Sequence, residues 1–323
     1  MTLRELKQQA GPAGMPVARH AQLAKCLQNT TKTGKPFYDV SFADAEETLV
    51  LRVWNNTPMF SLCSELQERM FYEINGEFSL GNDGRSIDGK NWTVRALSDE
   101  EAEMVLSGSE ELRQRQGDDF VAIQEMTAAI RDPRLRAICA AFLERFGERM
   151  RRTGAARDYH HARRGGLVEH VAQMMRTAVQ ICEAYPALNR DLLVSGVLFH
   201  DAGKLWENAY AADGFSMPFT EIRELIGHIQ LGMEIANKLW RDLLDDDGVA
   251  KEWSTLEPPS ERVRLHLLHL IVSHHGELEF GSPVVPKTPE AQALHYIDNL
   301  DAKMEMFFRG YEVSSELARN VQE

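Results

Sequence analysis

The stretch Gly196-Val-Leu-Phe-His-Asp-Ala-Gly-Lys204 closes an apolar run, expected to be helical over about 190–200, on an adjacent imidazole and carboxylate. That ending is costly. Charge taken into an apolar interior persists only when it is paired or bound to a metal. A lone His200-Asp201 pair says little, so the weight falls on whether other ligating side chains arrive to meet it.

At 323 residues the chain is long enough for two domains, each able to bury its own core. From about Val17 to Leu97 short segments alternate apolar and polar residues, as half-buried strands do: Phe37–Phe42, Thr48–Trp54, Met70–Ile74 and Asn91–Arg95. Thr33-Gly-Lys-Pro36 and Gly81-Asn-Asp-Gly84 are turn signals between them. With a helical insert near Pro58–Gln67, such strands suit a small all-β barrel of the OB type. Ser98-Asp-Glu-Glu101 reads as a helix N-cap with an acidic first turn.

After about Asp118 the spacing of apolar residues becomes helical, with helices expected at 120–130, from Pro133, and at about 166–184, 190–200, 220–240, 260–274 and 289–309. The expected organisation is a polar lead-in over 1–15, an OB-fold nucleic-acid-binding domain over 16–106, a linker over 107–117 and an all-α domain over 118–323. The acidic Asp245-Asp-Asp247 is expected to be a solvated loop.

Forty-nine acidic against 36 basic residues leave a net charge of −13, which argues against a broad basic surface that coats nucleic acid. A local basic groove, or a metal site supplying its own positive charge, remains compatible with it. Four scattered cysteines with no CxxC spacing point to a reducing compartment. Neither a signal-peptide core at the N-terminus nor 18 consecutive apolar residues anywhere can be found, so a cytoplasmic location without membrane contact is expected.

Ten of the eleven histidines fall in the helical half. His170, His200-Asp201, His228 and His274-His275 each lie on an apolar helix face or at its end, and Asp298 and Asp301 share a face one turn apart. Any one of them alone is more simply a satisfied core residue. Together they would strand many polar groups in the core, which folding penalises. A shared metal centre accounts for them all.

The order His … His-Asp … His … His-His … Asp resembles the HD superfamily of metal-dependent phosphohydrolases. Gly165-Gly-Leu-x-x-His170, Tyr185-Pro186, Arg190-Asp-Leu-Leu193, His200-Asp-x-Gly-Lys204, Gly227-His228, Ser273-His-His-Gly276 and Leu294-His-Tyr-Ile-Asp-Asn-Leu-Asp-Ala-Lys303 are similar to the YhaM-type 3′–5′ exoribonucleases over roughly residues 20–310. In the β half, Gly34-Lys-Pro-Phe37 and Val53-Trp54 carry the likeness.

The resemblance implies a small OB-like barrel followed by an HD-domain helical bundle. It also implies His170, His200, Asp201 and Asp298 as ligands of one metal. Asp201 would bridge to a second metal held by His228 and His274, with His275 a neighbouring ligand or phosphate contact. Lys204 would meet a phosphate oxygen, and self-association into a homo-oligomer is implied as well. Such a nitrogen and oxygen set suits divalent transition ions, manganese first, with iron, cobalt or zinc as alternatives. Two ions ~3.5–4 Å apart can activate water and neutralise an attacked phosphate.

Other polar residues are expected to do less. His266 and His269 match no ligand position, His20 stands alone, and His295 is expected to hydrogen-bond the Asp298 ligand from outside. His160, His161 and Arg164 lie in a basic run that serves equally as a contact for the substrate backbone or as a plain interdomain contact. Lys35, Phe37 and Trp54, with Arg52 nearby, can form a base-stacking strip, or can be plain barrel scaffold.

The leading expectation is a two-metal 3′–5′ exonuclease of single-stranded RNA, with single-stranded DNA as a further substrate, releasing 5′-nucleotides. Against it stand a phosphodiesterase or phosphatase for small or cyclic nucleotides, and a binding module with a degenerate centre. The first alternative lacks the Gly-Tyr-Pro signature of one cyclic-dinucleotide branch and has Gly281-Ser-Pro283 instead. The second is disfavoured because every expected ligand type is present.

Overall fold

The computed structural model describes residues 2–45, 47–81, 86–106, 108–156, 163–211, 213–215 and 221–308. The chain divides into two compact units, Met1–Arg113 with Tyr210–Met217, and Gln114–Ala209 with Pro218–Glu323.

The first unit is a five-stranded antiparallel sheet of β1 (Met15–Thr30), β2 (Pro36–Ala43), β3 (Thr48–Trp54), β4 (Phe71–Leu80) and β5 (Ile87–Ala96), in the order β3-β2-β1-β4-β5. β1 is long enough to pair with β4 along its first half and β2 along its second. The β1–β2 register breaks between Leu23 and Lys25, a bulge of the kind that bends one strand to serve two neighbours. The edges β3 and β5 come together, so the sheet curls into an OB-like barrel. Strict alternation in β3 sends Leu49, Leu51 and Val53 into a core shared with Phe42, Ile74, Phe78 and Trp92. A short helix, α2 (Met59–Leu62), occupies the expected insert, and α3 (Asp99–Leu106) follows β5.

Three features of this unit depart from the sequence reading. Residues 1–15 are more than a lead-in: α1 (Leu3–Gln9) is closed by a Thr2/Glu5 capping box and buries Leu3 and Leu6 in the barrel core. The polar stretch 107–117 is largely the start of α4 (Glu110–Ala128), where the Ser109 hydroxyl accepts from the Leu112 amide ahead of Glu110 and Glu111. The short segment Tyr210–Met217 joins the barrel unit: Gln22 binds the Asp213 carbonyl and the Phe215 amide, and Arg69 makes a bidentate pair with Asp213 at 2.6 and 2.7 Å.

The second unit is helical: α5 (Pro133–Met150), α6 (Gly166–Ala184), α7 (Arg190–Phe199), α8 (Lys204–Glu207), α9 (Glu221–Leu225), α10 (His228–Leu244), α11 (Asp247–Ser254), α12 (Ser260–Ser273) and α13 (Pro289–Phe308) complete it after α4. α7 is the hub. Leu193, Val194, Val197, Leu198 and Phe199 are all buried, and α5, α6, α12 and α13 pack around it. A helix apolar around most of its circumference is stable when neighbours cover it in this way.

The single helix expected over 220–240 is instead two, α9 and α10, broken where Gly227 takes a φ of 80°. His228 thereby becomes the first residue of α10. Likewise Asp246 is no free loop residue; its carboxylate accepts from the Gly248 and Val249 amides and caps α11.

Candidate metal centre

Six helices deliver the polar residues to one place. α6 supplies His170 from its second turn, and the turn leaving α7 supplies His200 and Asp201. Lys204 opens α8, His228 opens α10, His274 and His275 follow α12, and Asp298 stands in the middle of α13. His170, His200, Asp201 and His274 are buried. Gly203 explains part of the closeness: a Cβ there would run into the backbone of His228, so only glycine lets the start of α10 settle against the turn carrying Asp201.

The residues form two triads with Asp201 between them. His170, His200 and Asp298 are one, His228, His274 and His275 the other, and within each the ligating atoms lie within 4.8 Å of one another. Asp201 Oδ2 is 3.2 Å from His200 Nε2 and 3.8 Å from His170 Nε2. Its Oδ1 is 3.6 Å from His228 Nε2 and 3.8 Å from His274 Nε2. Asp298 Oδ1 approaches His170 Nε2 at 3.4 Å. Lys204 Nζ sits on Asp201 Oδ2 at 2.7 Å.

The outward nitrogens of these rings are already committed. His200 Nδ1 donates to the Val197 carbonyl at 2.8 Å, His274 Nδ1 to Ile271 at 2.7 Å, and His275 Nδ1 to Phe280 at 2.7 Å. His170 Nδ1 donates to Asp301 Oδ2 at 2.7 Å. A carbonyl can only accept, so each of those rings carries its proton on Nδ1 and turns the Nε2 lone pair inward. Nε2 of His200, His228 and His274, and Oδ1 of Asp201, are buried without a hydrogen-bond partner. Buried polar atoms left so are rare unless an ion or water completes them. Bonds of 2.0–2.2 Å to a shared ion set ligand atoms about 3–3.5 Å apart, close to the spacings here. The donor set fits divalent metal binding.

Charge balance points the same way. Burial alone would raise the Asp201 carboxyl, yet the Lys204 ammonium and the His200 imidazole hold it well below the usual carboxylate range. Burial would likewise raise Asp298, but His170 keeps it low. Burial, helped by the neighbouring His200, pushes His274 far below an ordinary histidine, and burial lowers His275 too. Deprotonated carboxylates and neutral imidazoles are the forms that bind metal. His170 is the exception: burial lowers it, but Asp298 and Asp301 outweigh that and raise it to about 9.

Residues outside the expected set support the centre. Asp301 was visible in sequence only as a neighbour of Asp298 on one helix face, yet it fixes the His170 ring. Buried Glu207 approaches His228 Nδ1 at 3.5 Å, a partnership no spacing announced. Next to His170, Glu169 is clasped by Arg163 in a buried bidentate pair that Arg163 extends to Glu305 on α13. His295 does lie outside the ligand shell, but it donates to the His274 carbonyl at 2.9 Å, not to Asp298. His269 accepts from the Lys287 amide.

Of the anticipated nucleic-acid contacts, Phe37 and Trp54 form a cross-strand pair with centroids 5.3 Å apart, and Arg52 lies 4.9 Å over the Phe37 ring while paired with Asp39. Lys35 is exposed on the turn before them. Arg164 belongs to the helical unit, where its carbonyl accepts from Gln116. His160 and His161 lie outside the described residues.

Residues 167–303, which contain the whole cluster except its supporting Glu305 and Arg163, match the HD domain family. Helical fold and His/Asp centre together define a divalent-metal-dependent hydrolase of the HD class. Proteins named 3′–5′ exoribonuclease YhaM are similar over most of the chain. That of Geobacillus sp. (strain WCH70) is 30% identical over 283 residues, covering 86% of this chain and 80% of its own. Those of Bacillus pumilus (strain SAFR-032) and Bacillus subtilis (strain 168) are 29% and 28% identical over 303 residues, covering 93% of this chain and 88% of theirs. The chain belongs to the YhaM exoribonuclease family. Among the described residues no helix is long and apolar enough to cross a membrane.

Proposed function

We propose that the protein is a two-metal 3′–5′ exonuclease that shortens single-stranded RNA, with single-stranded DNA as a second substrate, and releases 5′-nucleotides. The observation that carries this reading is the position of Asp201, whose two oxygens face two separate triads of candidate ligands. In it, His170, His200 and Asp298 would hold one divalent ion and His228 and His274 the other, with Asp201 contributing to both sets. Manganese is the expected metal, given the mixture of imidazole and carboxylate donors. When bound, the ions would supply Lewis-acid activation of water and neutralise charge on the attacked phosphate.

The remaining work falls to the chain itself. Lys204 is partly exposed, and an ammonium has three donors; one is spent on Asp201, leaving others for a phosphate oxygen. His275, less buried than His274, is placed to contact the ion or the phosphate. Phe37, Trp54 and Arg52 in the barrel offer rings and a cation on which a single strand can stack, with Lys35 beside them.

The test is a 5′-labelled oligoribonucleotide incubated with the protein and Mn²⁺. A ladder shortening from the 3′ end, absent with Asp201→Ala, is expected. An intact oligomer together with turnover of small or cyclic nucleotides would instead identify a small-nucleotide phosphodiesterase.

A further inference from the structure

The triad of His228, His274 and His275 is flanked along the chain by apolar residues that the protein's own packing leaves exposed. Just past His275 the chain makes a 3₁₀ turn, Leu278–Phe280, in which Leu278 and Phe280 are each 64% exposed. Just before His228, Leu225 and Ile226 are 79% and 44% exposed. The His228 and His275 rings have centroids 5.1 Å apart, so both segments adjoin the same pair of rings. Single exposed apolar residues need no explanation, whereas several in the two segments that flank one polar centre point to a binding surface.

The turn is rigid. His275 Nδ1 donates to the Phe280 carbonyl, the Phe280 and Ser282 amides both donate to the Glu277 carbonyl, and the Ser282 hydroxyl ties the loop to Val272 and Val284. An aromatic ring held on such a turn loses little freedom when something flat lies against it. The same bonds occupy the backbone carbonyls of Glu277 and Phe280, and the Gly281 amide takes that of Leu278, so the backbone of the turn offers little hydrogen-bonding capacity beside the exposed Leu278 and Phe280 and the carboxylates of Glu277 and Glu279.

We infer that Phe280, with Leu278 beside it, is the shelf on which the base of the reacting terminal nucleotide stacks while its phosphate meets the metal centre. This inference rests on the nuclease reading above. It supplies what removal of successive nucleotides requires: a grip on each base that is indifferent to its identity, because every base has a stacking face.

Equilibrium binding to the manganese-loaded protein tests it, with adenosine 5′-monophosphate and ribose 5-phosphate as probes. The nucleotide is expected to bind roughly ten- to hundredfold more tightly than the base-free sugar phosphate. Phe280→Ala and Phe280→Leu are each expected to erase most of that difference, with ribose 5-phosphate binding and manganese content unchanged, and Phe280→Trp to restore it. Equal binding of the two probes by the wild type, or Phe280→Ala and Phe280→Leu that both bind the nucleotide as the wild type does, would overturn the shelf. An oligoribonucleotide left intact while the base preference and its loss in Phe280→Ala are observed would sink the nuclease reading and leave the shelf standing.

Discussion

Asp201 is a carboxylate with opposing demands on it. It is buried, which opposes charge, yet an ammonium and several imidazoles surround it, and they win. Removing its charge takes away the carboxylate that Lys204 and both triads share. Asp201→Asn is therefore expected to lower metal affinity and nuclease rate together by more than about a hundredfold, beyond the loss typical of an outer hydrogen-bonding partner. Asp301 is such a partner. Asp301→Asn, measured by competition against a chelator, is expected to weaken manganese binding by roughly ten- to hundredfold with the fold intact. His170 adds a pH signature in the metal-free protein. Its folded value of about 9 lies above the ordinary ~6.5, so the protonated ring stabilises the fold fully below ~6.5, and that contribution is lost as pH rises through 9. Thermal unfolding of the chelator-treated protein should show a melting temperature that falls from pH 6.5 to 9, and a shallower fall in His170→Gln. Equal slopes would contradict the assignment.

At the scale of elements, the centre depends on where helices stop. α7 ends at Phe199 so that His200 and Asp201 stand at the exit of the most buried helix, and Gly203 lets the first residue of α10 close in. Gly203→Ala is expected to destabilise the fold by about 1–3 kcal/mol through overpacking and to push His228 off the centre, read as a lowered melting temperature with reduced metal content. The apolar run and its His-Asp ending were legible because they are local. The break at Gly227 was not: Leu225, Ile226 and Ile229 continue a helical pattern across it, and a glycine inside a helix costs only ~1 kcal/mol. The α1 helix escaped for a related reason, since seven residues show hardly two turns of periodicity, although the Thr2/Glu5 box was in plain view. Glu207 and the Arg163–Glu169 clasp were invisible because their partners are chosen by packing and not by spacing.

For the whole molecule, a bound metal is expected to form part of the folded state. Several buried nitrogens and an oxygen lack partners without it, so binding should be coupled to stability. A metal concentration 100-fold above the dissociation constant contributes about 2.7 kcal/mol, which for a helical unit of this size raises the melting temperature by roughly 5–10 °C. Chelation should reverse that shift, and added manganese should restore it. The histidine order in the sequence, with the resemblance it carries, implied a centre that shares Asp201 between two ligand sets, and in the fold the two oxygens of Asp201 face two triads of candidate ligands. The most direct measurement is the manganese content of the reconstituted protein at saturation. Two ions per chain in the wild type, and one in His228→Ala with His170, His200 and Asp298 untouched, are expected. A single ion in the wild type, or two retained in His228→Ala, would contradict a centre in which Asp201 joins two metals.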